Sequence, residues 1–459
     1  MKKFAPLHWL PELLLLLLGG YFCLRELGTF PAAWTDDSLF MIVARQVADG
    51  RGYTLPLLDH EWAYPYILAV GPTLILPVAL SIKLLGFSIE AARIPMVLYI
   101  AATAVTFYLL VYRMSDRNRN VARWSTALLL SLSAFINTGK PVMGEVPGFF
   151  FLLLGLLLLT KEKRSWKTDL GIGLCFGLSV LTKLTYGLLY PALGFAWIVA
   201  LCRRDWKELF SLTGIGIVAV LVFLPWRFLE MSSSTGLSRD FAFMFGSDDG
   251  TGFQILNGNM GLLLRPQYLY YAAMLLLGSF GLWFKTRKIS WSVWTIITSL
   301  IMMITLYFLS SFGWYRHLLP AHLLLIPFVV IAVSSTLPKK IAVALLLFFI
   351  LVQGYWQWDY RGSSRSTAAA EAAEYIEEHL QSRNLIIQVA PVYVRLEQNP
   401  NWYFLTNPIL TSRLPKELVT FSGEHRCTGL LRGWEEGDKN RYTIAGKYVL
   451  IPPPKNECP

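Results

Sequence analysis

Apolar stretches of about 20 residues, long enough to cross a hydrocarbon core, alternate with short basic clusters along most of this chain. The clusters lie at Lys2-Lys3, Arg113 to Arg123, Lys161 to Lys167, Arg203 to Lys207, Lys285 to Lys288 and Lys339-Lys340. Between them the pattern predicts crossings over 92–113, 123–139, 147–160, 169–184, 186–202, 209–229, 267–284, 290–311, 317–335 and 341–358. The run from 7 to 27 has no convincing small-residue cleavage site and is expected to stay as a first span. The expected total is about eleven crossings.

Residues 66–86 do not fit that alternation. They are apolar and long enough to cross, yet a single crossing there would invert every later loop. Pro65, Pro72 and Pro77 interrupt any regular helix through the region. Broken backbone at membrane depth is tolerated only under cover of protein or beside a cavity. The stretch is therefore expected to lie on the outer surface or to re-enter from it.

Two segments follow other periods. Ser38 to Ala48 predicts a short helix with Leu39, Ile42, Val43 and Val47 on one face. Asp36 or Asp37 can cap its start, where exposed amides and the helix dipole favour negative charge. From Arg361 the chain turns polar, with a helix expected over 366–381 and strands over 385–389 and 448–451. The expected fold class is an all-α polytopic membrane protein with a small C-terminal α/β domain outside the membrane. Residues 1–360 form the membrane part, with a first outer loop at 28–91, and 361–459 form the tail.

Composition supports this division. Apolar residues make up 54% of the 459 and charged ones 15%, against about a quarter charged in a soluble domain. The net charge of +11 does not imply a nucleic-acid partner, because the basic excess sits in loops between spans. Such loops orient a protein with their positive charge in the cytoplasm. Cys23, Cys175 and Cys202 fall in or beside spans and behave as small apolar residues. Cys427 and Cys458 fall in the tail, where an oxidising compartment permits a disulfide.

With the basic clusters inside, the unusual polar residues gather on the other side. They are Asp36, Asp37, Asp59, His60 and Glu61 in the first outer loop, then Lys140 and Glu145 in the second. Lys183 follows at a span end, then Asp240, Asp248 and Asp249 in a long loop, then Gly313-Trp314-Tyr315-Arg316-His317. Any one of them alone is readily explained as a cap or a snorkelling side chain. Acids and bases together at several outer span ends point instead to a polar cavity with a function.

The order of these motifs carries a resemblance. An acidic pair follows the first span, and a Pro-broken segment ends in Leu85-Gly86-Phe87 with Ala92-Arg93 soon after. Glu145 precedes a proline in the second outer loop, Leu181-Thr182-Lys183 ends a span, and Trp314-Tyr315-Arg316-His317-Leu318-Leu319-Pro320 comes late. The set resembles the GT-C superfamily of polyprenyl-phosphate-sugar glycosyltransferases, in its branch of protein O-mannosyltransferases and lipid A aminoarabinose transferases. The resemblance covers about residues 1–360. It implies catalysis by the acidic pair, Asp36 first and Asp37 beside it. It implies substrate binding by Glu61, Glu145, Lys183 and Arg316, and the clustering on the outer side adds Lys140, Tyr315 and His317 as expected substrate-binding residues. The chain differs in having Asp-Asp where Asp-Glu is commoner, and in lacking the basic residue that the lipid A branch places soon after the pair.

The chemistry suits these residue types. A sugar on a lipid phosphate already carries a leaving group, so a carboxylate that takes the acceptor's proton and cations that neutralise the phosphate complete the needs. The expected activity is an inverting transfer from a polyprenyl-phosphate-linked sugar to a glycan, lipid or protein acceptor. It is expected at the outer face of a bacterial inner membrane. No cofactor is required, and a divalent metal is left open. A transporter shares intramembrane charge and broken helices, but no internal repeat is found here. A non-catalytic envelope scaffold would not need clustered outer acids and bases.

Overall fold

In the computed structural model the described residues are 10–233, 266–283, 290–310, 314–359, 366–406, 411, 414, 416–421, 428–435, 438 and 443–453. The expected roles of Asp240, Asp248, Asp249, Cys427 and Cys458, and of the Lys2-Lys3 and Lys285 to Lys288 clusters, lie outside them.

The first helix, α1 (Leu10–Leu24), leads to α2 (Thr35–Ala48), a hairpin of β1 (Thr54–Leu57) and β2 (His60–Ala63), and a single 3₁₀ turn at Tyr66–Leu68. Then come α3 (Pro72–Leu85), α4 (Ile89–Met114), α5 (Arg119–Ser131), α6 (Ser133–Gly139), α7 (Glu145–Leu159) and α8 (Trp166–Thr182). A 3₁₀ segment at Leu184–Leu188 runs into α9 (Leu189–Cys202), followed by α10 (Trp206–Met231), α11 (Pro266–Trp283), α12 (Trp291–Ser310), α13 (Tyr315–Thr336) and α14 (Lys339–Trp358). The tail holds α15 (Ala368–His379), β3 (Leu385–Ile387), α16 (Ala390–Tyr393), β4 (Trp402–Phe404), β5 (Gly429–Gly433), β6 (Thr443–Ile444) and β7 (Tyr448–Ile451).

Among the described residues, six helices are long and apolar enough to cross a membrane: α4, 184–202, α10, α12, α13 and α14. This is an integral membrane protein. The other expected crossings are shorter helices, and the one expected over 123–139 breaks at Leu132 between α5 and α6. Gln353 of α14 accepts the Ser133 backbone N–H at 3.3 Å there, and Gln357 donates to Asn137 at 3.0 Å. Polar contacts between helices thus cover the broken backbone, as membrane interiors demand. Helix α13 is buried along nearly its whole length, whereas α10 and α14 expose most of theirs to the surroundings, so α13 is the centre of the bundle.

The misfit segment is broken before Pro72 but not at Pro77, which sits inside a continuous helix. Its 3₁₀ turn ends at Ala69 in a left-handed conformation, and α3 starts with Pro72 at its first turn. With 14 residues, α3 runs only about 21 Å, short of the roughly 30 Å core.

The tail sheet has the order β4-β3-β5-β7-β6, parallel across β4-β3-β5 and antiparallel beyond. Two strands expected from the sequence are present, and β4, β5 and β6 are additional. Their short mixed composition gave no period-2 signal. The tail has its own core around Ala372, Ile376, Ile387, Val392 and Leu431. It also shares a second core with the segment that follows α1: Ala390, Val394, Phe404 and Leu414 pack with α2, β1 and α3. Polar contacts join the same surfaces, with Arg45 donating to the Leu396 carbonyl at 2.9 Å and Leu58 N–H to the Phe404 carbonyl at 2.7 Å. The tail therefore holds α2 in place from outside.

Candidate active site

Helix α2 begins earlier than its apolar pattern suggests, at Thr35, with Trp34 as N-cap. This places Asp36 and Asp37 in its first turn, where carboxylates complement the unsatisfied amides. One residue is a turn of about 100° on a helix, so the two carboxylates face different surroundings.

Asp37 is fully buried. One carboxylate oxygen accepts the Trp34 backbone N–H at 2.8 Å, and the other accepts Arg93 Nη2 at 3.0 Å. The Arg93 side chain is equally buried and also donates through Nη1 to the carbonyls of Leu27 and Pro31, at 2.8 and 2.9 Å. The Asp37–Arg93 pair thereby ties together α4, the chain leaving α1, and the start of α2. A buried ion pair is tolerable when such hydrogen bonds complete it.

Asp36 points the other way. Its side chain is 30% exposed, and Oδ2 lies 2.7 Å from Arg316 Nη1 at the start of α13. The Arg316 guanidinium is flanked by two indoles, its centre 4.6 Å from the Trp34 ring and 4.2 Å from the Trp314 ring. Behind it, Arg316 Nε is 3.8 Å from Oε1 of Glu145, and the same oxygen is 2.9 Å from Lys183 Nζ. Four charged groups from four separate parts of the chain thus form one row: Asp36, Arg316, Glu145, Lys183. Its formal charges cancel.

Local backbone explains how Lys183 reaches the row. Helix α8 ends at Thr182, and Lys183 is extended, bridging to Val70 in the Pro-broken segment. Leu184 N–H donates to the Ala69 carbonyl at 3.1 Å, and the Thr73 and Thr182 hydroxyls meet at 2.7 Å. Two glycines permit the approach. A Cβ on Gly71 would stand 2.1 Å from the Leu181 carbonyl oxygen, and one on Gly144 would stand 2.9 Å from the Lys183 side chain. The broken segment 66–71 is therefore part of the site wall. Glu145 opens α7 and is buried, with the Tyr186 hydroxyl donating to its carbonyl. No hydrogen bond reaches Glu145 Oε2 among the described residues.

The remaining expected residues lie around or away from this row. His317 packs against the rings of Tyr307 and Trp314, with centroids 5.4 and 5.6 Å away. Tyr315 turns into the bundle, where its hydroxyl meets His322 Nδ1. Lys140 is fully buried and donates to the Arg25 carbonyl at 2.6 Å, with its Nζ 5.3 Å from the Phe30 ring centroid. Burial, with Arg93 nearby, pushes its ammonium down to about 8. Glu61 is exposed on β2, opposite Pro56. Among the described residues, no hydrogen bond or ion pair joins Lys140 or Glu61 to the row. Among the described residues, no group of three or more His, Cys, Asp or Glu converges to hold a metal.

Sequence reasoning quoted Arg93 without giving it a role and did not single out Trp34. The partners of Lys183 and Arg316 were equally hidden, since Glu145 and Asp36 are far from them along the chain. A buried arginine inside an apolar span is itself a signal, because such a charge needs a partner.

Comparison with known proteins bears on this geometry. Residues 70–228 match the family model described as dolichyl-phosphate-mannose-protein mannosyltransferase. The structure is similar to that of ArnT from Cupriavidus metallidurans bound to undecaprenyl phosphate, with a TM-score of 0.66 at 12% identity, covering 97% of this chain and 98% of that one. The fold is that of the GT-C glycosyltransferases. A second similar structure is the archaeal oligosaccharyltransferase AglB from Archaeoglobus fulgidus, in complex with an inhibitory peptide and a dolichol-phosphate. It has a TM-score of 0.59 at 10% identity and covers all of this chain and 75% of AglB. No curated protein matches by sequence. The GT-C likeness expected over residues 1–360 thus reaches into the tail as well, since so little of the chain is left uncovered.

Proposed function

We propose that this chain is an inverting glycosyltransferase that moves a sugar from a polyprenyl-phosphate donor to a hydroxyl or amine acceptor. The observation that carries this reading is the row Asp36–Arg316–Glu145–Lys183 on a GT-C fold. Each member lies at a helix end remote from the basic clusters: Glu145 opens α7, whose other end meets Lys161, and Arg316 opens α13, whose other end meets Lys339. By the positive-inside rule this face is the outer one. We therefore place the site and the tail at the periplasmic or exterior face of a bacterial inner membrane.

In this reading Asp36 is the base. The acceptor O–H or N–H gives its proton to the Asp36 carboxylate as the oxygen or nitrogen attacks the anomeric carbon. The bond from that carbon to the phosphate oxygen breaks, and its electron pair leaves with the polyprenyl phosphate. A phosphodiester with one negative charge becomes a monoester with two. Lys183 and Arg316 meet that growing charge, and Glu145 holds both cations in position before the donor arrives. While Arg316 contacts Asp36 the base is occupied, and the donor phosphate is a natural competitor for the same guanidinium. Because Asp37 faces Arg93, a second carboxylate of the kind a double displacement needs is not supplied by the pair. One displacement inverts the anomeric centre.

The test is to incubate purified protein with radiolabelled polyprenyl-phosphate sugars and membrane extract, and to determine the anomeric configuration of the product. Transfer with inversion is expected. Retention, or no transfer from any lipid-phosphate sugar, would overturn the proposal.

A further inference from the structure

We propose that Trp34 and Trp314 are positioning residues that clamp Arg316 so that its guanidinium presents its N–H edge to the donor phosphate. This rests on the transferase reading above and adds to it the device that orients one of its cations. The two indoles stand 4.6 and 4.2 Å from the guanidinium centre. Arg316 is a long side chain that reaches both Asp36 at 2.7 Å and Glu145 at 3.8 Å. Without lateral restraint a guanidinium between two carboxylates can turn to bind either one bidentately, and its edge is then lost to an incoming anion. Aromatic faces attract the guanidinium plane while leaving its in-plane donors free.

The placement of the two tryptophans fits this role. Each is the residue before its helix, Trp34 before α2 with Asp36 and Trp314 before α13 with Arg316. The clamp therefore sets the position of base and cation relative to each other. Both indoles also reach the protein surface, 41% and 46% exposed. Folding gains little from large apolar rings left outside, so burial does not account for them. Neither residue caps through its side chain: the Trp34 contribution to the helix start is its backbone N–H to Asp37, and Trp314 makes no side-chain cap bond. Replacing either ring leaves that backbone geometry unchanged.

The experiment measures donor KM and kcat, together with binding of radiolabelled polyprenyl monophosphate, for Trp34→Leu, Trp314→Leu, the corresponding Phe variants, and Arg316→Lys. Each Leu variant should raise donor KM about tenfold with kcat little changed, the scale of a cation–π contact between a buried guanidinium and a half-exposed ring. The Phe variants should recover most of that loss. In the Arg316→Lys background, Trp34→Leu should cost less than threefold, because the planar group it clamps is gone. Equal lipid-phosphate binding by wild type and both Leu variants would overturn the clamp and leave the transferase reading standing. So would Trp34→Leu losses that simply multiply with Arg316→Lys. A wild-type protein that binds no polyprenyl phosphate would overturn both.

Discussion

Two arginine–aspartate pairs sit one residue apart on α2 and differ in almost everything else. Asp37 and Arg93 are both fully buried: Arg93 Nη1 donates to two carbonyls and the other Asp37 oxygen accepts an amide, while Arg93 Nε has no hydrogen-bond partner among the described residues. Asp36 is 30% exposed, and its partner Arg316 has an unshared Nε beside a second acid. Full burial and ties to three parts of the chain make the first pair a joint. Partial exposure and competition make the second a place where a ligand can enter. Adjacent residues of the same type thus carry different functions because a helix turns them to different neighbours.

The largest effect should come from breaking the buried pair. Arg93→Met strands a buried carboxylate, and removing one partner of a buried pair typically costs about 3–5 kcal/mol. We expect loss of folded protein, measured as monodisperse material after detergent extraction and as thermal unfolding temperature. The double variant Arg93→Met with Asp37→Leu should recover much of it, since an apolar replacement of both partners is often near neutral. If Arg93→Met folds normally, the pair is not a joint.

Asp36→Asn should leave folding intact, because Asp36 is a partly exposed first-turn residue and not the N-cap, and losing its charge beside the helix dipole costs only about 0.3–1 kcal/mol. It should lower transfer by about 10²-fold or more, the scale of a lost general base. The measurement is labelled-sugar transfer at matched protein levels. An active Asp36→Asn protein together with an inactive but folded Asp37→Asn protein would reverse the assignment of the two acids.

How much of this was legible beforehand follows the physics of each signal. Helix positions were readable within a few residues, because apolar runs end at basic loops. Only six of the described helices are long and apolar enough to span, however, and the one expected over 123–139 breaks at Leu132. The break at 66–71 was readable from Pro65 and Pro72, whereas Pro77 lies within the helix that follows and marks no break. That its turn would pair with Lys183 was not, because a single bridge between residues more than a hundred apart leaves no periodic trace. Asp36, Glu145, Lys183 and Arg316 were all named from chain order, yet their row is purely spatial. The tail's attachment to α2 was also unreadable: Val394 and Phe404 look like ordinary core residues until their neighbours are known.

The open row can be sharpened by removing its cations one at a time. Arg316→Ala and Lys183→Ala should each weaken polyprenyl monophosphate binding by about tenfold or more, the range for hydrogen bonds to charged groups. Because both cations are buried, added salt should change these losses little. Lys183→Ala also leaves the buried Glu145 with only Arg316 nearby, so its expression level must be matched before affinities are compared. Unchanged affinity in either variant would make that residue a structural partner of Glu145 or Asp36 alone.

The smallest effect concerns a third kind of buried charge, intermediate between joint and ligand site. Lys140 is as buried as Arg93, but its described partner is the Arg25 carbonyl, and among the described residues it makes no ion pair. A carbonyl dipole supports an ammonium less than a carboxylate does, and burial holds Lys140 down to about 8 from an ordinary 10.5. The folded state then binds fewer protons at this site than the unfolded chain between about pH 8 and 10.5. Its contribution to stability therefore rises with pH across that window and is lowest below it. Lys140→Met removes the titration while keeping a similar length. Thermal unfolding of both proteins at pH 7.5, 8.5 and 9.5 should show the wild type gaining on the variant as pH rises, by at most about 1.4 kcal/mol per pH unit for one proton. A constant difference would mean that Lys140 keeps its proton throughout, held by charge as firmly as Arg93 is.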